Sequence, residues 1–177
     1  SGEFCPSRTV SQLSVLFVVD FSGSMTGPLE GPNDPIVSGT CGRLRAAEAL
    51  MKKFSELQGT DLTFGMIGFS NNARLRLAFN SLANFQASLT PNNWCGSDSN
   101  TARTNYRAAF ESANEALNGR NGDKVIYFIS DGSPTTGGTG GQSNVQAGLT
   151  AAQSLRTKYG RELVLNAVFL GLSLIHI

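Results

Sequence analysis

Two segments constrain this chain more than any others: "LSVLFVVD" (Leu13–Asp20) and "DKVIYFISD" (Asp123–Asp131). Each is a run of apolar residues rich in β-branched and aromatic types, and each ends in aspartate. Unbroken apolarity over this length is how a strand covered on both faces reads. Helical spacing follows the first run: Leu44, Ala47, Leu50, Met51, Phe54 and Leu57 recur on one face, with Gly59 as the stop. "DLTFGMIGFS" (Asp61–Ser70) reads as a second strand, and Asn71–Ala73 as a turn. "ARLRLAF" then alternates, with Arg74 and Arg76 outward, as suits an antiparallel edge strand. A short helix over Leu82, Phe85 and Leu89 is expected to end at Pro91. Two further helical stripes follow, one through Ala109, Phe110, Ala113, Ala116 and Leu117 to Gly119, the other through Val145, Leu149, Ala152 and Leu155 to Gly160. "ELVLNAVFLG" (Glu162–Gly171) is the last strand. Strands alternating with helices predict an α/β domain around an open, mostly parallel sheet.

The bulk properties narrow the function. The chain has 177 residues, which suits one domain, and a formal net charge of +1 from 14 basic and 13 acidic residues. That balance offers no electrostatic footprint for nucleic acid or an anionic membrane. No run approaches the ~20 apolar residues of a membrane span. Residues 1–12 read as an N-terminal extension without the apolar core of a signal peptide. "LSLIHI" (Leu172–Ile177) reads as a translated sequencing adapter, with an ordinary apolar tail as the alternative. The single histidine, His176, lies within it. Setting it aside removes Ser-His-Asp, Cys-His and histidine-zinc chemistry. The three cysteines form no C-x-x-C pair. Cys41 and Cys95 each fall in a polar loop before an expected helix, so a disulfide between them is expected in an exported protein. Two free thiols are the alternative, and Cys5 is left over.

The strand ends carry the chemistry. Ligands of open parallel sheets bind beyond the carboxyl ends of the strands, where Asp20 and Asp131 both emerge. Two carboxylates that converge there repel unless a cation offsets them. Ser22 and Ser24 alternate with Asp20, so a tight loop aims three oxygen-bearing side chains together. Hard oxygen donors favour Mg²⁺, Mn²⁺ or Ca²⁺ over zinc or copper. Taken singly, each of these residues is also an ordinary turn former or helix cap. The loop from Met25 to Gly42, with Pro28, Pro32 and Pro35, is long enough to be functional.

"DFSGSM" resembles the D-x-S-x-S motif of the von Willebrand factor type A domain, which integrin inserted domains share. "TNY" at Thr104 is similar to the family's second metal loop, a threonine at a helix start, and "ISDG" at Asp131 to its third. The resemblance spans Leu13 to Gly171, leaving 172–177 outside the domain. It implies a Rossmann-like sheet of order 3-2-1-4-5-6 with helices on both faces, here without its last strand and closing helix. It implies a metal-ion-dependent adhesion site in which Ser22, Ser24 and Thr104 touch the ion directly and Asp20 and Asp131 act through water. The partner is then a protein that offers an Asp or Glu carboxylate, and no enzyme activity is needed. Gly23 is expected to allow close backbone approach, with a simple turn role as the alternative. Arg103, Arg107 and Trp94 are candidate ligand contacts; solvated arginines and a Trp packed beside Cys95 are the alternatives. "TTGGTGG" lacks the phosphate-loop lysine and reads as a mobile loop beside the site. The expected setting is extracytoplasmic. The rivals are an intracellular subunit of an ATP-driven chelatase or remodelling complex, and a metal-dependent hydrolase, which lacks an evident general base.

Overall fold

The computed structural model describes residues 12–27 and 32–170. Cys5, Pro28, most of the N-terminal extension and the 172–177 tail with His176 lie outside the described residues.

Five strands form one sheet: β1 (Gln12–Asp20), β2 (Asp61–Phe69), β3 (Ala73–Ser81), β4 (Asp123–Ser130) and β5 (Leu163–Phe169), in the order β3-β2-β1-β4-β5. β1 pairs in parallel with β2 and β4, and β4 with β5, while β3 runs antiparallel to β2. The expected α/β sheet with one antiparallel edge is therefore the observed one. Helices cover both faces: α1 (Gly42–Phe54), α2 (Leu82–Gln86) and α3 (Pro91–Trp94) on one side, α4 (Tyr106–Leu117) and α5 (Asn144–Tyr159) on the other.

Alternation along β1 explains the two layers. Leu13, Val15, Phe17 and Val19 pack with Leu44, Ala47, Met51, Phe85 and Trp94. Leu16 and Val18 face the opposite way, against Ala109, Phe110, Ala113 and Leu155. A central strand with no solvent side places apolar residues on both of its faces.

Four local expectations are corrected. α1 ends at Phe54, and Leu57 lies beyond it, 48% exposed. Pro91 opens α3 rather than ending α2, since a missing N–H costs nothing at a helix's first position. The buried face of α5 runs through Ala147, Gly148 and Leu155, while Val145 and Leu149 are exposed. In β3, register shifts against β2 interrupt the alternation, so Leu77 joins one layer and Phe79 the other. Arg76 is not a solvated edge charge. Its guanidinium lies 4.1 Å from the Phe21 ring centroid and bonds both carboxylate oxygens of Asp98.

Candidate functional site

The parallel register delivers Asp20 and Ser130 to the same end of neighbouring strands. Asp20 is fully buried; its Oδ1 accepts from the Ser22 N–H at 2.7 Å and its Oδ2 from the Ser130 hydroxyl at 2.7 Å. Burial pushes the Asp20 carboxyl up to about 6, and the nearby charge of Asp131 adds to the rise, while the bonds from Ser22 and Ser130 oppose it.

After β1 the chain makes a 3₁₀ turn over Gly23–Met25. The Gly23 N–H donates to the Ala102 carbonyl at 2.9 Å, and a Cβ on Gly23 would stand 2.2 Å from the Asn100 carbonyl oxygen. Only glycine lets the loop before Thr104 come so close. The turn brings the Ser22 and Ser24 hydroxyls to 3.2 Å from each other, and Ser24 donates to Asp131 Oδ2 at 2.5 Å. Two separate segments therefore meet through side-chain oxygens.

Thr104 joins them through its backbone. Its N–H donates to the Thr135 hydroxyl at 2.9 Å, and its carbonyl accepts from the Thr135 and Thr136 N–H groups at 2.8 and 3.2 Å. The loop after Asp131 thus clasps the Thr104 peptide. Thr104 is buried but does not cap α4; Asn105 does, accepting from the Ala108 N–H at 3.0 Å. Tyr106, in the first turn of α4, donates to Ser130 Oγ and to the Gly132 carbonyl. Burial pushes the Tyr106 phenol up to about 12; the Ser130 bond opposes this, and the Asp20 and Asp131 charges reinforce it.

Several contributors were not legible in the sequence. Arg43 is wholly buried; its Nε meets Asp34 Oδ2 at 2.7 Å, and its Nη1 donates to the carbonyls of Asp20 and Gly96 at 2.9 and 2.6 Å. Asp34 also accepts from the Gly42 and Arg43 N–H groups, so it caps α1 from eight residues away. Asn33 donates its side-chain amide to Asp131 Oδ2 at 3.0 Å. An Asp and an Asn in a proline-rich loop are weak signals alone, and a helical arginine next to an apolar stripe reads as surface.

Two proposed contacts move away from the site. Trp94 is fully buried, stacks edge-on to Phe17 at 5.4 Å and donates its indole N–H to the Ser88 carbonyl, so it belongs to the core. Arg107 pairs with Glu111 one helical turn on, at 2.8 Å. Arg103 is exposed, with its backbone N–H on Asn71 Oδ1. Cys41 and Cys95 form a disulfide, as expected.

The donor set suits a hard cation. Among the described residues no group of three or more His, Cys, Asp or Glu side chains gathers to hold a metal, so any such site depends on hydroxyls. Ser22, Ser24, Asp20 and Asp131 supply oxygen only, and the raised Asp20 carboxyl marks buried negative charge that a cation would relieve.

A family model described as the von Willebrand factor type A domain matches residues 15–134. The chain belongs to this family. No curated protein matches it in sequence. Among solved structures, this type A domain is similar to the PilB minor pilin of Streptococcus sanguinis, with 18% identity and a TM-score of 0.62 over 93% of this chain and 51% of the pilin. It is similar to proximal thread matrix protein 1 of the mussel byssus, described with a zinc-occupied MIDAS motif, at 17% identity and a TM-score of 0.61 over 89% of this chain and 35% of that one. The pilus adhesin SpaC of Lactobacillus rhamnosus GG matches at 15% identity and a TM-score of 0.59, over 92% of this chain and 25% of the adhesin. The type A domain spans about half the length of the pilin, and these likenesses establish the fold. No helix among the described residues is long and apolar enough to cross a membrane.

Proposed function

We propose that this domain, taken as residues 13–171, is an adhesion-type module that binds a protein ligand through a divalent cation, Mg²⁺ or else Mn²⁺ or Ca²⁺. Ser22, Ser24 and Thr104 would hold the ion through hydroxyls, and Asp20 and Asp131 would act largely through water. When bound, the ion supplies an electrophilic position that accepts an Asp or Glu carboxylate of the partner. The observation that carries this reading is the 2.5 Å bond between Ser24 and Asp131, which joins residues 107 apart in sequence at one oxygen-rich point.

The chain's own residues do the positioning. Ser130 and the Ser22 N–H fix both oxygens of Asp20. Thr135 fixes the Thr104 peptide, and Gly23 admits the loop that leads to it. Arg43 ties the Asp20 backbone carbonyl to the Gly96 carbonyl and to Asp34, which fixes the end of β1 beneath the site. Arg103 remains available to an acidic partner.

The Cys41–Cys95 bridge favours an extracytoplasmic setting over an intracellular ATP-driven complex, because thiols stay reduced in the cytosol. The minor pilin, the pilus adhesin and the byssal thread matrix protein named above are consistent with this setting. Binding through the ion needs no nucleophile and no acid/base pair, so the module is read as non-enzymatic.

Calorimetric titration with Mg²⁺, Mn²⁺ and Ca²⁺ tests the reading. The wild-type domain should bind at least one ion and gain about 2.7 kcal/mol of stability at a hundredfold excess over Kd. Thr104→Ala and Asp131→Ala should lose this response while keeping the wild-type circular dichroism. A blank titration for all three ions would overturn the proposal.

A further inference from the structure

Residues 32–40 form a finger hydrogen-bonded at its base to the candidate site. At its base, the Asn33 and Asp34 N–H groups donate to the carbonyls of Ser24 and Met25 at 3.0 and 2.8 Å. The Asn33 side chain reaches Asp131, and the Asp34 carboxylate is tied to Gly42 and Arg43. At its tip, Val37 and Thr40 exchange backbone bonds of 2.8 and 3.2 Å around Ser38 and Gly39, whose φ angles are 52° and 76°. Two central residues with positive φ make the kind of turn that closes a two-residue hairpin. Cys41, the next residue, is bridged to Cys95.

This finger carries Ile36 and Val37, which are 54% and 58% exposed. Single exposed apolar residues are ordinary on a protein surface. These two differ in being adjacent, β-branched and carried on a turn whose base, at Asn33 and Asp34, is bonded to the site. The three residues from Asn33 to Ile36 span at most about 10 Å of extended chain. Apolar contact is therefore on offer within that distance of the residue that touches Asp131.

We propose that the finger sets ligand specificity: Ile36 and Val37 read a bulky apolar side chain that lies within three residues of the partner's metal-bound carboxylate, on an extended segment. The proposal rests on the cation-dependent reading above. The ordering cost of the finger is already met by folding, so contact at its tip adds directly to affinity. Area burial alone would give more than tenfold in Kd; with the ordering of the partner set against it, the net gain from covering both side chains is roughly tenfold.

The test is selection of random linear peptides displayed on phage against the immobilised domain in Mg²⁺, with elution by EDTA. The expected consensus pairs Asp or Glu with a bulky apolar residue within three positions. The Ile36→Ser/Val37→Ser double variant should bind the consensus peptide about tenfold more weakly, with its Mn²⁺ affinity by calorimetry unchanged. Its selected peptides should keep the acidic residue and lose the apolar preference. Leu57→Ser, an exposed apolar residue beyond the other end of α1, should change neither. An acidic consensus without apolar preference, equal peptide affinity for the double variant, or no EDTA-sensitive consensus in a domain that binds Mn²⁺ would overturn the proposal alone. A blank Mn²⁺ titration would overturn it together with the reading beneath it.

Discussion

Asp20 shows how a single group couples the fold to the site. Its carboxyl stands at about 6 in the folded protein against 3.8 ordinarily, mainly because it is buried. Between those values the folded protein holds a proton that the unfolded chain has released. Stability therefore falls as pH rises through this window, and the penalty is complete above pH 6. Two pH units correspond to about 3 kcal/mol. In metal-free protein, the unfolding free energy of the wild type relative to Asp20→Asn should rise by up to about that amount from pH 7 to pH 4, as measured by urea titration. Saturating Mn²⁺ at pH 7 should remove most of the difference, because a bound cation stabilises the charged form. At the same scale, Asp20, Ser22, Ser24 and Asp131 were legible because strand ends and alternation advertise them. Asn33, Asp34 and Arg43 were not, because their roles arise only when a loop folds back onto the site. Arg43 is the sharpest case: Asp34 and two carbonyls partner the Nε and Nη1 of its buried guanidinium, and no local pattern encodes that.

At the scale of elements, the site is an agreement among loops, and the Cys41–Cys95 bridge enforces part of it. The bridge closes 54 residues between the start of α1 and the segment after α3. It flanks Arg43 on one side and Gly96 on the other, and Arg43 joins these through the Gly96 carbonyl. Chain-entropy reasoning assigns a loop of this length about 4 kcal/mol. Cys41→Ser/Cys95→Ser should lower the unfolding free energy by roughly 2–4 kcal/mol in chemical denaturation, and should weaken Mn²⁺ binding because the segment leading to Thr104 is freed. Unchanged ion affinity would show that the loops hold their places without the bridge. The elements themselves were mostly readable from spacing. The exceptions have physical causes: Pro91 fits a helix's first position as well as its end, and the irregular pairing of β3 turns Arg76 inward onto Phe21. In α5 the small residues Ala147 and Gly148 face inward because Tyr106 packs close against Gly148.

Across the whole molecule, the two outer strands of the sheet are unlike. β3 presents an irregular register and the exposed Arg74, features that discourage further pairing. β5 has a regular register with β4, no charged residue in its own sequence and Val164 at 52% exposure. Beside it, a groove of about 980 Å³ lies between β5 and α5, lined in part by Phe110, Phe128, Leu149, Leu165 and Phe169. An unguarded apolar edge is a template for strand addition. Among the described residues no strand pairs with the outer edge of β5, and where the protein self-associates with rising concentration, Val164→Lys should suppress that in light scattering while leaving the circular dichroism unchanged. An identical concentration dependence for the variant would place the association elsewhere.

The linear order of residues was enough to determine the sheet's strand types, its helix partners and the oxygen-rich strand ends, because buried strands and amphipathic helices impose periodicities that any reader can see. Tertiary structure alone decided that Trp94 lies in the core, that Asp34 and Arg43 brace the site from within, and that Asn33 reaches Asp131. These outcomes depend on contacts between segments tens of residues apart. Local spacing reports which face a side chain occupies, but it carries no information about what the returning chain will place opposite that face.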